Sequence, residues 1–258
     1  MACRINNYMQ NSGEYAVELK NVSVEYHHTV ALHNASIKIP YGTFSGVIGM
    51  NGAGKSTIFK VIMGLVKPSK GSVSVCGKTQ YETEKEALVA YVPQNELVDW
   101  DFPVSVYDVV MMGRYGSQNI FRTPTAADRA LVEDALIKVG MHDYKDRQIG
   151  ELSGGQRKRV FVARALAQGA SIFLLDEPFA GVDAKSEKSL TELLLTLKAE
   201  GKTIILSTHE LTSLSEYCDR VALVKKTVLA YGPTKEVFTK DLVSQTFVGV
   251  IHRIQFEQ

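Results

Sequence analysis

Gly49-Met50-Asn51-Gly52-Ala53-Gly54-Lys55-Ser56 fits the pattern G-x-x-x-x-G-K-[ST] in full. Before it, Phe44-Ser45-Gly46-Val47-Ile48 is short and largely apolar, the composition of a buried strand. After it, Lys55 to Met63 reads as a helix that stops at Gly64. A strand, a glycine-rich turn and a helix in that order make the pattern a phosphate-binding loop. Its glycines let the backbone fold tightly, its N–H groups converge on phosphate oxygens, and the helix N-terminus adds a favourable dipole. In such a loop Lys55 reaches the β- and γ-phosphates and the Ser56 hydroxyl holds Mg²⁺.

Working outward, Ala16 to Tyr26 and Leu32 to Ile39 read as strands, the second with Ala35, Ile37 and Ile39 alternating against polar neighbours. Ser72 to Val75 and Leu88 to Val92 are further strands. From about Val104 to Met141 helical periodicity dominates. Thr125 and Asp128 form a capping-box pattern, Leu131, Val132, Ala135, Leu136 and Val139 form an apolar face, and Gly140 is a stop. After this helical insertion strand and helix alternate: Ser171 to Leu175, a helix from Ala184 to Glu200 with Leu190, Leu193, Leu194 and Leu197 on one stripe, then Thr203 to Leu206. Alternation of this kind implies a parallel sheet with helices on its faces. The tail from Lys235 to Val250 reads as helical.

Composition narrows the class. The 258 residues carry 29 Lys+Arg against 28 Asp+Glu, and 45% are hydrophobic. That is an ordinary globular balance, without the basic excess of a general nucleic-acid binder. No apolar run approaches the roughly 18 residues that a membrane span needs. Met1 to Glu14 is polar and reads as a flexible leader, so the chain is expected to stay in the cytoplasm. Cys3, Cys76 and Cys218 are scattered, as suits reduced thiols. His27-His28 is a loop pair whose ordinary reading is solvent-facing rather than metal-binding.

Two further motifs carry chemistry. Ile172-Phe173-Leu174-Leu175-Asp176-Glu177 is an apolar strand ending in two acids. A strand end beside a phosphate loop is where a Mg²⁺-holding Asp belongs, here Asp176. Glu177, one residue on, is placed to act as general base on the attacking water. Leu152-Ser153-Gly154-Gly155-Gln156 precedes a helix from about Arg157 to Ala167. Small residues and free N–H groups at a helix start form a second phosphate site.

With these in sequence order, the chain resembles the nucleotide-binding subunit of an ABC transporter, over roughly Ala16 to Val248. The resemblance implies a RecA-like α/β P-loop core with an antiparallel β-subdomain and an inserted helical subdomain at about 95–150, the cassette spanning 15–250 between the leader and a C-terminal tail at 251–258. It implies ATP and Mg²⁺ as ligands, with the whole stretch from Gly49 to Ser56 and Thr57 on ATP. Tyr26 matches the aromatic that stacks on adenine. Gln94 matches the glutamine that contacts Mg²⁺ and the attacking water. His209 matches the switch histidine on the γ-phosphate. Asp183 matches the D-loop aspartate that couples two sites. The implied assembly is a homodimer in the ATP-bound state. Each ATP then lies between the phosphate loop of one chain and Ser153-Gly154-Gly155-Gln156 of the other.

Subgroup signals are Val98-Asp99-Trp100-Asp101-Phe102-Pro103-Val104, Met112-Gly113-Arg114-Tyr115-Gly116, and Phe179-Ala180-Gly181-Val182 after Asp176-Glu177-Pro178. They are similar to the ATPases of manganese, iron and zinc importers. The implied partners are integral-membrane permease subunits at the cytoplasmic face of the membrane and, indirectly, a metal-binding capture protein, with no nucleic acid. Siderophore and cobalamin importers share the Met-Gly-Arg-Tyr stretch and stand as the alternative. A non-transport ABC ATPase, such as an Fe–S assembly ATPase, is the remaining one.

Overall fold

The computed structural model describes residues 14–27, 29–79, 82, 86–94, 103–119, 121–211 and 214–247. His28, Trp100 and Phe102, with the rest of 95–102, and the terminal segments 1–13 and 248–258 lie outside the described residues.

Two sheets organise the chain. The first is antiparallel, with strand order β2-β1-β4, built from β1 (Val17–Tyr26), β2 (Thr29–Ile39) and β4 (Lys70–Val75). Val17 pairs with Ile39 on one side and Val75 on the other. The second sheet has the order β5-β6-β7-β3-β8-β9. Its strands are β3 (Phe44–Ile48), β5 (Val89–Val92), β6 (Ile172–Asp176), β7 (Thr203–Thr208), β8 (Arg220–Val224) and β9 (Val228–Pro233). All neighbours are parallel except β9, which runs antiparallel at the edge.

The continuous apolar runs of β3, β6 and β7 follow from burial on both faces. Phe173 and Leu175 face one core and Ile172 and Leu174 the other. The second core lies between the large sheet, the antiparallel sheet and α1 (Lys55–Ile62). The first contains the helices: α2 (Val106–Met111), α3 (Ala126–Lys138), α4 (Gly154–Gln168) and α5 (Ala184–Ala199). Short helices α6 (Leu214–Tyr217), α7 (Thr234–Val237) and α8 (Lys240–Thr246) complete the described chain.

Several details differ from the reading of the sequence. The helical stretch after Val104 is broken: α2 passes into a 3-10 turn at Met112–Ser117, and α3 begins only at Ala126. There the expected capping box is present, with Thr125 Oγ1 accepting from Asp128 N at 3.1 Å. Helix α4 starts at Gly154, not near Arg157. Ser153 and Gln156 form a reciprocal box: Ser153 N donates to Gln156 Oε1 at 2.9 Å and Gln156 N to Ser153 Oγ at 3.3 Å. That exchange satisfies two orphan donors and draws Gly154 to Gln156 into the first turn. Among the described residues of the tail there are two helices rather than one. Thr239 is extended (φ −104°, ψ 155°) and has no side-chain cap, so α7 and α8 are separate.

The Met-Gly-Arg-Tyr stretch has a packing role. Arg114 Nε donates to Asp128 Oδ1 at 2.9 Å, and its Nη1 donates to the Ala167 carbonyl at 2.8 Å. One guanidinium thus ties the first turn of α3 to the last turn of α4, where a cation also meets the negative end of the helix. Donors from Thr125, backbone and hydroxyl, together with this guanidinium hold the Asp128 carboxyl down at about 2.

Candidate functional site

Strands β5, β6, β7 and β3 lie side by side and parallel, so their carboxyl ends open on one edge. In open parallel sheets ligands bind at that edge. Gln94 follows β5, Asp176 and Glu177 end β6, His209 follows β7, and the glycine-rich loop follows β3. Register makes this tight: Ile48 is level with Thr208, and Asp176 with Ser207.

The loop is held by its backbone. Gly49 N donates to Thr208 O at 3.3 Å, Ala53 N to Met50 O at 3.1 Å, and Lys226 N to Ala53 O at 2.7 Å. A side chain at Gly49 would put its Cβ 2.4 Å from the Val224 carbonyl, so only glycine fits there. Gly54 has φ +105° and stands at the cap of α1. Ser56 is exposed and Thr57 half-buried on its first turn, while Met50, Asn51 and Gly52 are exposed.

Lys55 is 5% exposed, and its Nζ donates to the carbonyls of Gly49 at 2.8 Å and Met50 at 3.3 Å. The same ammonium lies 3.4 Å from Glu177 Oε1. The other oxygen, Oε2, accepts from Gln94 Nε2 at 3.1 Å and is 3.0 Å from His209 Nδ1. Three residues separated by up to 154 positions in the chain (Lys55 to His209) therefore converge on one buried carboxylate. Such a group is retained in the interior only when its charge is paired. Glu177 also has φ +46°, a conformation costly for a residue with a side chain. Its N–H donates to Ser207 O and to Ser207 Oγ, each at 3.1 Å, and these bonds fix it there.

Asp176 is held as firmly. Its Oδ2 accepts from Tyr91 OH at 3.1 Å, and its Oδ1 accepts from Ser207 Oγ. Ser207, Tyr91 and Lys158 escaped the sequence reading, although Tyr91 lies three residues before Gln94 and Ser207 two before His209. Their partners come from neighbouring strands, so no local pattern marks them.

Ser153, Gly154, Gly155, Gln156 and Asp183 occupy a second locus. Asp183 caps α5, accepting from Ser186 N at 3.0 Å, and the Ser186 bonds lower its pKa. A Cβ on Gly155 would lie 2.5 Å from Ser186 Cβ, so the starts of α4 and α5 are in close contact. Ser153, Gly154, Gly181 and Asp183 are exposed there. Tyr26 ends β1 and is 38% exposed. Its sheet adjoins the loop, because a Cβ at Gly54 would be 2.8 Å from the Ala31 carbonyl of β2.

A phosphate loop after β3, with acids at the end of nearby β6 in a parallel sheet, defines a P-loop nucleoside triphosphatase. The chain belongs to the ABC transporter family, whose sequence pattern matches residues 32–180, and is an ATP-binding ATPase subunit. It is 53% identical to the manganese transport system ATP-binding protein MntA of Synechocystis over 91% of this chain and 90% of that one. It is 52% identical to the chelated iron transport system membrane protein YfeB of Yersinia pestis, over 91% of this chain and 79% of the relative. Among solved structures, an inward-facing metal-chelate type ABC transporter superposes with a TM-score of 0.81 at 26% identity, covering 91% of this chain and 89% of that chain.

Proposed function

We propose that this chain is the ATP-hydrolysing subunit of an ABC importer for divalent metal ions, manganese or iron foremost, and that it works as a dimer on membrane permeases. The convergence of Lys55, Gln94 and His209 on Glu177 beside the glycine-rich loop carries the reading. Among the described residues no helix is long and apolar enough to cross a membrane. The similarity to manganese and iron transport subunits supports the cargo.

In the proposed reaction the loop N–H groups and Lys55 hold the β- and γ-phosphates, with Thr57 beside them and Tyr26 stacked on adenine. Glu177 orients a water in line with the γ-phosphorus and takes its proton as the new O–P bond forms and the bond to the ADP oxygen breaks. Gln94 and His209 keep Glu177 aimed, and His209 turns to the γ-phosphate when ATP is bound. Ser56, Asp176 and Gln94 offer a hydroxyl, a carboxylate and an amide oxygen, hard donors that suit Mg²⁺. Gln94 presents its nitrogen to Glu177, which leaves its oxygen available for that role. When bound, Mg²⁺ neutralises charge on the β- and γ-oxygens. The exposed Ser153, Gly154 and Asp183 at the starts of α4 and α5, with Gly155 and Gln156 behind them, form the face that closes on ATP held by a second copy.

A strain lacking the gene, grown under chelation, tests the cargo. Cellular manganese or iron falls and growth recovers on adding the metal. Normal metal content with failed siderophore or cobalamin uptake would move the chain to that importer class.

A further inference from the structure

Lys158 lies in the second turn of α4, five residues beyond Ser153. Its Nζ leaves the helix and donates to the carbonyl of Gln94 at 2.8 Å and of Pro93 at 3.3 Å. These two residues directly follow the end of β5, and Gln94 is the one whose side chain donates to Glu177 Oε2. A continuous path therefore runs from α4, through one ammonium and one backbone carbonyl, to the buried carboxylate.

Helix α4 is itself held at several points. Arg159, the next residue, donates to Val139 O at 3.3 Å and to Ser189 Oγ on α5. Gly155 packs on Ser186 of the same helix, and Arg157 Nη2 donates to Gly150 O at 2.7 Å. A displacement of the α4 start thus moves a rigid body, and Lys158 rides on it. The bond to Gln94 O, at 2.8 Å, is charge-assisted and short, so it transmits position well.

We propose that Lys158 is a positioning residue that couples the placement of α4 to the aim of Gln94 on Glu177. The proposal rests on the assignment of Glu177 as general base made above. When Ser153 at the head of α4 engages a nucleotide held by a second copy, Lys158 carries that engagement to Gln94 and sets Glu177 for proton transfer. Without the tether, nucleotide still binds, because Lys55 and the glycine-rich loop are untouched.

The test is a double-mutant cycle on the full-length protein in its reconstituted transporter. It compares Lys158→Met, Lys158→Arg, Gln94→Ala and Lys158→Met/Gln94→Ala, with kcat, KM for ATP, and amide exchange at Val92 and Gln94 as readouts. Lys158→Met is expected to lower kcat about tenfold, which is about 1.4 kcal/mol. Its KM for ATP and its thermal midpoint stay within about twofold and a few degrees of wild type, and amide exchange at Val92 and Gln94 rises. Lys158→Arg, still able to donate to both carbonyls, restores most of the rate. In the Gln94→Ala background the Lys158 substitution produces no further loss. Additive losses in the double variant, or wild-type kcat in Lys158→Met, overturn the proposal. Glu177→Gln runs alongside: if it is inactive while Lys158→Met is normal, the tether alone fails. If Glu177→Gln is itself active, the general-base assignment fails first.

Discussion

Replacing Ser207 by alanine removes one oxygen that two functional residues share. Ser207 is fully buried on β7, donates to Asp176 Oδ1 and accepts from Glu177 N at 3.1 Å. The Glu177 N–H keeps its bond to the Ser207 carbonyl, also 3.1 Å, so it is not orphaned. Asp176 Oδ1 loses its hydroxyl partner, and Asp176 is only 4% exposed. The loss is that of one hydrogen bond to a charged group, about 1.5–3 kcal/mol. For a chain of this size each kcal/mol shifts the thermal midpoint by about 2–4 °C, so Ser207→Ala should melt roughly 3–12 °C lower. Tyr91→Phe, which removes the bond at 3.1 Å to Asp176 Oδ2, should cost a similar amount. The two together should fall short of or exceed the sum, since one carboxylate answers to both. Differential scanning calorimetry and denaturant unfolding of the full chain measure these values. The concentration of Mg²⁺ needed for half-maximal hydrolysis should rise in both variants. Wild-type unfolding and Mg²⁺ dependence in Ser207→Ala would refute the view that its hydroxyl holds Asp176.

Tyr26→Ala should weaken ATP binding by about 1–3 kcal/mol, with kcat at saturation little changed, because base stacking is lost while the phosphate contacts remain. The same tolerance of stacking makes GTP a usable nucleotide, and equilibrium binding of a fluorescent analogue checks both points. Asp128 gives a pH signature: its folded pKa of about 2 lies below the unfolded value near 3.9, so its contribution is fully present above pH 4 and lost as pH falls toward 2. Unfolding curves from pH 5 to 2 should therefore show the advantage of wild type over Asp128→Asn shrinking across that window. Arg114→Met should destabilise by about 3 kcal/mol, as expected when one partner of a largely buried ion pair is removed.

What the sequence made legible was what is contiguous. The loop from Gly49 to Ser56, the acids after the apolar run at Ile172–Leu175 and the capping box at Thr125 each lie within a few residues and each dictate local backbone. Strands β3, β6 and β7 stood out because burial on both faces makes them short, mostly apolar runs. Strands β8 and β9 went unread. The first lies between Asp219 and the charged pair Lys225-Lys226 and, unlike the equally short β3 and β6, runs into no motif that marks it as a strand. The partners of Asp176 and Gln94 were illegible for a related reason. Tyr91 and Ser207 meet Asp176 only through the order β5-β6-β7, and Lys158 meets Gln94 across 64 residues. The Met-Gly-Arg-Tyr stretch read as a mark of subgroup, whereas its arginine is a brace between α3 and α4.

The central claim is that Glu177 is the base to which the site is built, and Glu177→Gln in the reconstituted transporter tests it most directly. The amide is nearly isosteric but cannot take a proton, and it sets an NH₂ among the donors of Lys55, Gln94 and His209. Hydrolysis measured as phosphate release should fall by about 10²–10⁴-fold. ATP binding should persist, and an ATP-bound dimer should accumulate in sedimentation. Turnover near wild type, with no such dimer, would contradict the account.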